Sequence, residues 1–220
     1  MNTLTTNNGH YTVTYIEDDA YIGRCIANGY EWDGWMRGDV QHFYKPGTDI
    51  LDVGGNIGYN ALMFSDYGPV HTFEPFFHDI ISKNVEQNNL KNSVTVHPYG
   101  LSSEEKSTKI YKPHTYETGK TNYGGFSLHH SPQHSDTCYD CVVKRLDDIY
   151  QGPPSIIKVD IEGHEEEFLK GAKETIAKHK PVLMMEIHED SRQHMFGILA
   201  NMGYTTAYPR PEAVFILTVS

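Results

Sequence analysis

The chain has 220 residues, 38% hydrophobic and 12% aromatic, a composition that excludes a disordered polypeptide and suits one α/β domain of ordinary size. Its 18 Lys and Arg against 29 Asp and Glu leave a formal net charge of −11, which argues against a general grip on nucleic-acid backbones but leaves room for a nucleotide-sized ligand. No stretch approaches the roughly 20 apolar residues of a membrane span, residues 1–10 lack the basic and apolar regions of a secretory leader, and Cys25, Cys138 and Cys141 form no even disulfide framework. These features predict a cytoplasmic protein with no membrane association.

Residues 1–30 read as a polar lead-in with one alternating segment at 11–16, and 31–44 as a helix carrying Trp32 and Trp35 toward a core. Pro46-Gly47 turns the chain into a first parallel strand, Asp49–Val53, followed by a helix at 60–67. Strand and helix then alternate: Val70–Phe73, a helix at 76–89, Val94–His97. Residues 102–138, rich in Ser, Thr, Lys, His and Gly, read as an irregular excursion, with a short strand at 141–144. A strand at 156–160, a single helix at 165–179, a strand at 181–188, a helix at 192–202 and two strands at 204–208 and 213–219 complete the chain. The pattern is that of βαβ units around a mostly parallel sheet, with residues 1–45 as lead-in and helix and 46–220 as a single ligand-binding domain.

In such sheets ligands bind beyond the carboxyl ends of the strands. The segment Asp52-Val53-Gly54-Gly55-Asn56-Ile57-Gly58 lies there, with glycines that permit a tight turn and close approach. It is not the dinucleotide fingerprint G-x-G-x-x-G, and Asp52 would repel a pyrophosphate. A carboxylate at this strand end suits a cationic ligand such as S-adenosylmethionine. Glu74, 22 residues on at the end of the second strand, stands where a carboxylate accepts hydrogen bonds from ribose hydroxyls. Tyr99-Gly100-Leu101-Ser102 follows the third strand, where an adenine-contacting loop would lie.

The segments Asp52-Val53-Gly54-Gly55-Asn56-Ile57-Gly58-Tyr59, Phe73-Glu74-Pro75, Lys158-Val159-Asp160-Ile161-Glu162-Gly163-His164-Glu165, Leu169-Lys170-Gly171-Ala172 and Met185-Glu186 resemble the FkbM-type family of S-adenosylmethionine-dependent methyltransferases over about residues 47–190. Gly55 departs from the pattern, where the family more often has Ala. The resemblance implies a Rossmann-like class I methyltransferase fold, a seven-stranded, mostly parallel α/β sheet with its last strand antiparallel and helices on both faces. It also implies methyl transfer to the hydroxyl of a small molecule, often a sugar or polyketide. Asn122-Tyr123-Gly124-Gly125-Phe126-Ser127-Leu128 resembles a family loop near the donor, which makes Ser127 a further candidate contact. The expected cofactor contacts are thus Asp52, Gly54, Asn56, Gly58, Glu74, Gly100, Ser127 and Asp160.

A sugar hydroxyl needs a general base, or a cation that lowers its pKa, before it attacks a methyl sulfonium. Lys158, Asp160, Glu162 and His164 recur at every second residue, which in an extended strand puts them on one face; Glu186, His188 and Asp190 share that period. Asp160, Glu186 and His188 form a candidate set for Mg²⁺ or Mn²⁺, whose preference is for oxygen-rich ligands. Asp160, Lys158 and His164 are the catalytic candidates, His164 as the base and Lys158 either lowering the acceptor's pKa or simply pairing with a carboxylate. Glu162 is open between a direct base acting without metal and a residue favouring the start of the next helix. The expected acceptor is a small molecule or glycan, with a lipid, polyketide or peptide as alternatives. Two other classes use the same fold: an NAD-dependent oxidoreductase, which a comparison of NAD with S-adenosylhomocysteine binding would reveal, and a non-catalytic adenosyl-binding module, whose binding would survive Asp160→Ala.

Overall fold

Three apolar runs, Ile50-Leu51, Ile156-Ile157 and Leu183-Met184-Met185, are buried on both faces, as parallel strands covered by helices require. The computed structural model describes residues 1–219. In chain order the elements are β1 (Thr3–Asn7), β2 (Thr12–Ile16), α1 (Ile22–Ala27), α2 (Met36–Phe43), β3 (Asp49–Val53), α3 (Tyr59–Phe64), β4 (Val70–Phe73), α4 (His78–Glu86), β5 (Val94–His97), β6 (Gly100–Leu101), β7 (Lys106–Pro113), β8 (His134–Lys144), α5 (Leu146–Ile149), β9 (Pro154–Val159), α6 (Glu165–Gly171), α7 (Lys173–His179), β10 (Val182–Glu186), α8 (Arg192–Asn201), β11 (Tyr204–Pro209) and β12 (Val214–Val219).

The main sheet runs β11-β12-β10-β9-β3-β4-β5. β3, β4, β5, β9 and β10 are parallel, and β12 is antiparallel to both its neighbours, as the resemblance implies. Alternate residues feed two cores. Ile50, Ile156, Met184 and Ile216 pack with the N-terminal hairpin and α1 to α3 on one face. Leu51, Ile157, Leu183 and Leu217 pack with α6, α7 and α8 on the other.

The N-terminal region is more structured than its polar composition suggests. The β1–β2 hairpin is stitched to α4 by Asn84, whose side chain accepts from Thr14 N (2.6 Å) and donates to the carbonyls of Thr14 (3.0 Å) and Ile57 (2.7 Å). The expected helix at 31–44 begins only at Met36, because Asp33 takes a left-handed conformation (φ 50°) that ends any helix running through it. Trp32 and Trp35 are therefore in a loop, partly buried against the first core.

The expected helix at 165–179 is broken at Ala172 into α6 and α7. At the end of α6 the backbone presses on the chain after β6: a Cβ on Gly171 would lie 1.9 Å from the Ser102 carbonyl oxygen. The excursion is a hairpin, β7 pairing antiparallel with β8, and β6 completes a small three-stranded sheet. Its 20-residue tip, 114–133, folds back over the carboxyl ends of the main strands, with Phe126 stacked on Phe76 (centroids 4.9 Å apart). No helix among the described residues is long and apolar enough to cross a membrane.

Candidate active site

A cavity of about 340 Å³ opens at the carboxyl ends of β3, β4, β9 and β10, within the size range of small-molecule sites. Gly54, Asn56, Glu74, Gly100, Lys158, Asp160, Glu162, His164 and Glu186 all face it. Asp52, Gly58, Ser127 and His188 do not line it; Gly58 (φ +86°) instead packs against α4, where a Cβ would lie 2.7 Å from Ile81 Cγ2.

Asp52 is fully buried beneath the loop, so it does not meet a ligand cation as expected. Its Oδ2 accepts from Thr72 Oγ1 (3.0 Å) and its Oδ1 lies 3.5 Å from Lys158 Nζ. Burial raises its pKa, opposed by the Lys158 charge. Lys158, 3% exposed, donates to the Gly54 carbonyl (2.8 Å) and stands 3.5 Å from Asp160 Oδ2. Burial alone would depress it, but Asp160, Asp52 and Asp33 outweigh that and hold the ammonium above its ordinary range. Its charge is committed to joining the ends of β3 and β9.

The glycines answer to packing as much as to ligand. At Gly54 (φ +84°) a Cβ would lie 1.9 Å from the Asp160 carbonyl oxygen, so β9 could not close on the loop. At Gly55 the space that an Ala methyl would fill is taken by Thr72, whose Oγ1 would lie 2.2 Å from a Cβ there. The departure at Gly55 is thus matched by the hydroxyl that satisfies Asp52.

Glu74, at the end of β4, accepts from Asn56 N (3.0 Å), Phe76 N (2.8 Å) and Phe77 N (3.2 Å). A carboxylate has about four acceptor sites, so this cage fixes Glu74 and leaves one for a ligand hydroxyl. Burial raises its pKa against the pull of those N–H groups. Asn56 (φ 49°) ties the loop to the hairpin tip by donating to the Tyr123 carbonyl (3.0 Å). Ser127 donates to the Glu162 carbonyl (2.8 Å) and accepts from His129 N (3.0 Å), so its hydroxyl is spent on holding Glu162.

The expected single face of 158, 160, 162 and 164 does not exist, because β9 ends at Val159 and Glu162 and Gly163 both have positive φ (52° and 90°). The turn carries Glu162 toward β10 and turns His164 inward. His164 is 6% exposed, with Nε2 2.9 Å from Ser102 Oγ and Nδ1 3.0 Å from His129 Nε2, and burial lowers its pKa to about 4. Both ring nitrogens are engaged, which removes the basis for His164 as the base. Glu165 rather than Glu162 secures the start of α6, its Oε1 accepting from Gly163 N (3.1 Å).

Because of the same turn, the residues whose ligand atoms converge are Glu162, Glu186 and His188, all within 4.8 Å of one another, and not the expected set with Asp160. His188 Nε2 is 3.8 Å from Glu162 Oε2 and 3.5 Å from Glu186 Oε2. Asp160 instead faces Lys158 and stands close enough to Glu186 to raise its pKa. Burial, then Asp160 and the neighbouring glutamates, push Glu162 up to about 8 and Glu186 up to about 9. Glu186 Oε2 is buried without a hydrogen-bond partner among the described residues. Sequence reasoning missed Asn60 and Glu212, which also line the cavity from a helix start and a turn that no motif marks; Trp32, read from the sequence as a core residue or a stacking surface for a sugar, lines it too.

A model of the methyltransferase FkbM domain matches residues 52–206. Among solved structures, a methyltransferase FkbM from Methylobacillus flagellatus KT superposes with a TM-score of 0.53 at 19% identity, covering 78% of this chain and 43% of that one. A Pyrococcus abyssi tRNA (uracil-54, C5)-methyltransferase in complex with S-adenosyl-L-homocysteine has a TM-score of 0.47 at 11% identity, covering 99% of this chain and 43% of that one. The chain thus spans less than half the length of either structure. No curated protein sequence gives a significant match.

Proposed function

The chain belongs to the FkbM methyltransferase domain family, and from that premise we propose that it is an S-adenosylmethionine-dependent O-methyltransferase acting on a hydroxyl of a small molecule, a sugar or glycan, with a divalent cation assisting. One observation carries the reading. A single cavity joins the caged carboxylate of Glu74 and the Gly54 loop on one side to Asp160, Glu162 and Glu186 on the other.

The donor site fits an adenosyl group: Glu74 keeps one acceptor position for a ribose hydroxyl, and Gly54, Asn56 and Gly100 leave the wall open beside it. The donor, when bound, supplies a methyl group already activated on sulfur. What remains for this chain is to align an acceptor hydroxyl and to take its proton. Asp160 and Glu186, close enough for the first to raise the pKa of the second, are the carboxyl groups that face the cavity where that proton leaves. Lys158 positions Asp160 by its charge, and Ser127 positions Glu162 through its carbonyl.

Glu162, Glu186 and His188 are the residues that would hold Mg²⁺ or Mn²⁺, and two carboxylates with one imidazole suit such an ion. A bound ion there supplies Lewis acidity toward the hydroxyl. The test is S-adenosylhomocysteine release with a panel of simple glycosides, with EDTA and with added Mg²⁺ or Mn²⁺. Turnover that EDTA abolishes and metal restores supports the whole reading. Turnover indifferent to EDTA removes the metal and leaves the carboxyl groups as direct base. Release only with lipid or peptide hydroxyls removes the sugar.

A further inference from the structure

Five carboxyl groups, those of Glu74, Asp160, Glu162, Glu186 and Glu212, line the cavity against the single ammonium of Lys158, which is already paired with Asp52; burial and crowding keep protons on Glu162 and Glu186 near neutral pH, so the wall offers many acceptors and still no free cation for an anion. An adenosyl donor brings one net positive charge, so an anionic acceptor would enter a strongly hostile field. The excess is greatest away from the donor loop. Glu212 sits in the turn between β11 and β12, on the β10–β12 side of β3, whereas Glu74 ends β4 on the opposite side.

Beside Glu212 lies a buried group that the proposed reaction leaves unused. Asn60, 6% exposed and part of the cavity wall, donates through Nδ2 to Asp33 Oδ2 (3.0 Å). Its Oδ1 has no hydrogen-bond partner among the described residues. A buried acceptor without a donor is unfavourable, and a ligand N–H would relieve it. Asp33 backs both lining residues, accepting from Asn60 and standing near enough to Glu212 for its charge to act there, and burial holds both carboxyl groups above their usual range. The Glu212 carboxyl and the Asn60 amide offer three acceptor atoms to the cavity, and a primary ammonium has three donors and no acceptor.

Resting on the methyltransferase reading above, we infer that Glu212 and Asn60, with Asp33 behind them, form a subsite for a primary ammonium on the acceptor, so that the acceptor class is a hydroxylated amine such as an amino sugar. The geometry separates this subsite from the group around Glu162, Glu186 and His188, which contains neither Asp33 nor Glu212.

The two tryptophans give a readout independent of turnover. Trp32 lines the cavity and Trp35 lies beside Asp33, and they are the only two in the chain. Protein saturated with S-adenosylhomocysteine is titrated with glucosamine, glucose and N-acetylglucosamine, below neutral pH so that the amine is charged, and intrinsic fluorescence is followed. Glucosamine is expected to bind about tenfold or more tighter than the other two, and Asp33→Asn or Glu212→Gln to bring all three within about threefold, the worth of one charge-assisted hydrogen bond being of this order. Affinity for S-adenosylhomocysteine should be unchanged in both variants.

Equal binding of the three sugars, or binding of none, overturns the subsite. So does a variant that loses affinity for S-adenosylhomocysteine but not for 5′-methylthioadenosine, because that would place the donor's own ammonium on Asp33 and Glu212. Failure of the wild-type chain to bind S-adenosylhomocysteine would instead sink the methyltransferase reading, a different and separable result.

Discussion

The two sides of the cavity are built on opposite principles. On the β4 side, Glu74 is caged by three backbone N–H groups, and Asp52 beneath the loop accepts from Thr72 through Oδ2, while its Oδ1, without a hydrogen-bond partner among the described residues, is matched in charge by Lys158 3.5 Å away. On the β10 side, Asp160, Glu162 and Glu186 crowd one another, and Glu186 Oε2 and Asn60 Oδ1 have no partner among the described residues. The first side is settled by the chain itself; the second is frustrated until something else arrives. Such local conflict is the usual mark of a working surface, since a sequence selected only for stability would remove it.

The largest effect that would break this contrast is expected at Lys158. Lys158→Met leaves Asp52 as a buried, uncompensated carboxylate and should cost about 3–5 kcal/mol of stability, read by denaturant unfolding. A cost below about 1 kcal/mol would mean that the β4 side is not held by its ion pair. Next comes Glu186→Gln on the frustrated side. It should lower S-adenosylhomocysteine release roughly 100-fold while leaving the melting temperature unchanged or raised, because burial and crowding already keep Glu186 protonated near neutral pH and Gln preserves that neutral shape while removing the exchangeable proton. A parallel loss of stability would show that the crowding had been misjudged.

Acidification sharpens the contrast from the settled side. His97, stacked on Phe73 and 3.0 Å from His71, has its pKa lowered by burial to about 4. The folded chain therefore favours the neutral ring. Its contribution is intact above the unfolded value near 6.5 and is lost as the pH falls from there through about 4. Allowing for partial exposure, this is a loss of roughly 1–2 kcal/mol that His97→Gln should abolish, measured by unfolding at pH 7 and pH 4. The smallest effect is a coupling. Gly55→Ala should displace the Thr72 hydroxyl from Asp52, so it should be less harmful in a Thr72→Ala background by roughly 0.5–1 kcal/mol in a double-mutant cycle. Additivity of the two changes would break the matched-pair account of Gly55.

What the sequence revealed divides along the same line. Strand runs, the glycine loop and Glu74 are local features with strong periodic or steric causes, and they were legible as such. The strand order and reversed β12 followed from the family resemblance rather than from periodicity. The frustrated side depends on events that no period records. Positive φ at Glu162 and Gly163 ends the alternation that seemed to align Asp160 with His164, and exchanges Asp160 for Glu162 beside His188. Asp33, Asn60 and Glu212 are more than a hundred residues apart at their extremes and meet only through tertiary folding. The hairpin at the N-terminus was hidden for a related reason: its polar residues are bonded to Asn84, not to solvent alone.

The register of the central strands has a consequence for how the molecule comes into being. Ile50 of β3 pairs with Ile156 of β9, on the order of a hundred residues later in the chain. A ribosome must therefore release the roughly one hundred residues between them before the middle of the sheet can close, while β3, β4 and β5 wait with one apolar edge uncovered. Loop-closure entropy of that size predicts slow folding and a nascent chain in need of protection. The strand that ends this vulnerable interval also carries Lys158 to the ligand site, whose far wall waits longer still, for β10 and the turn at Glu212.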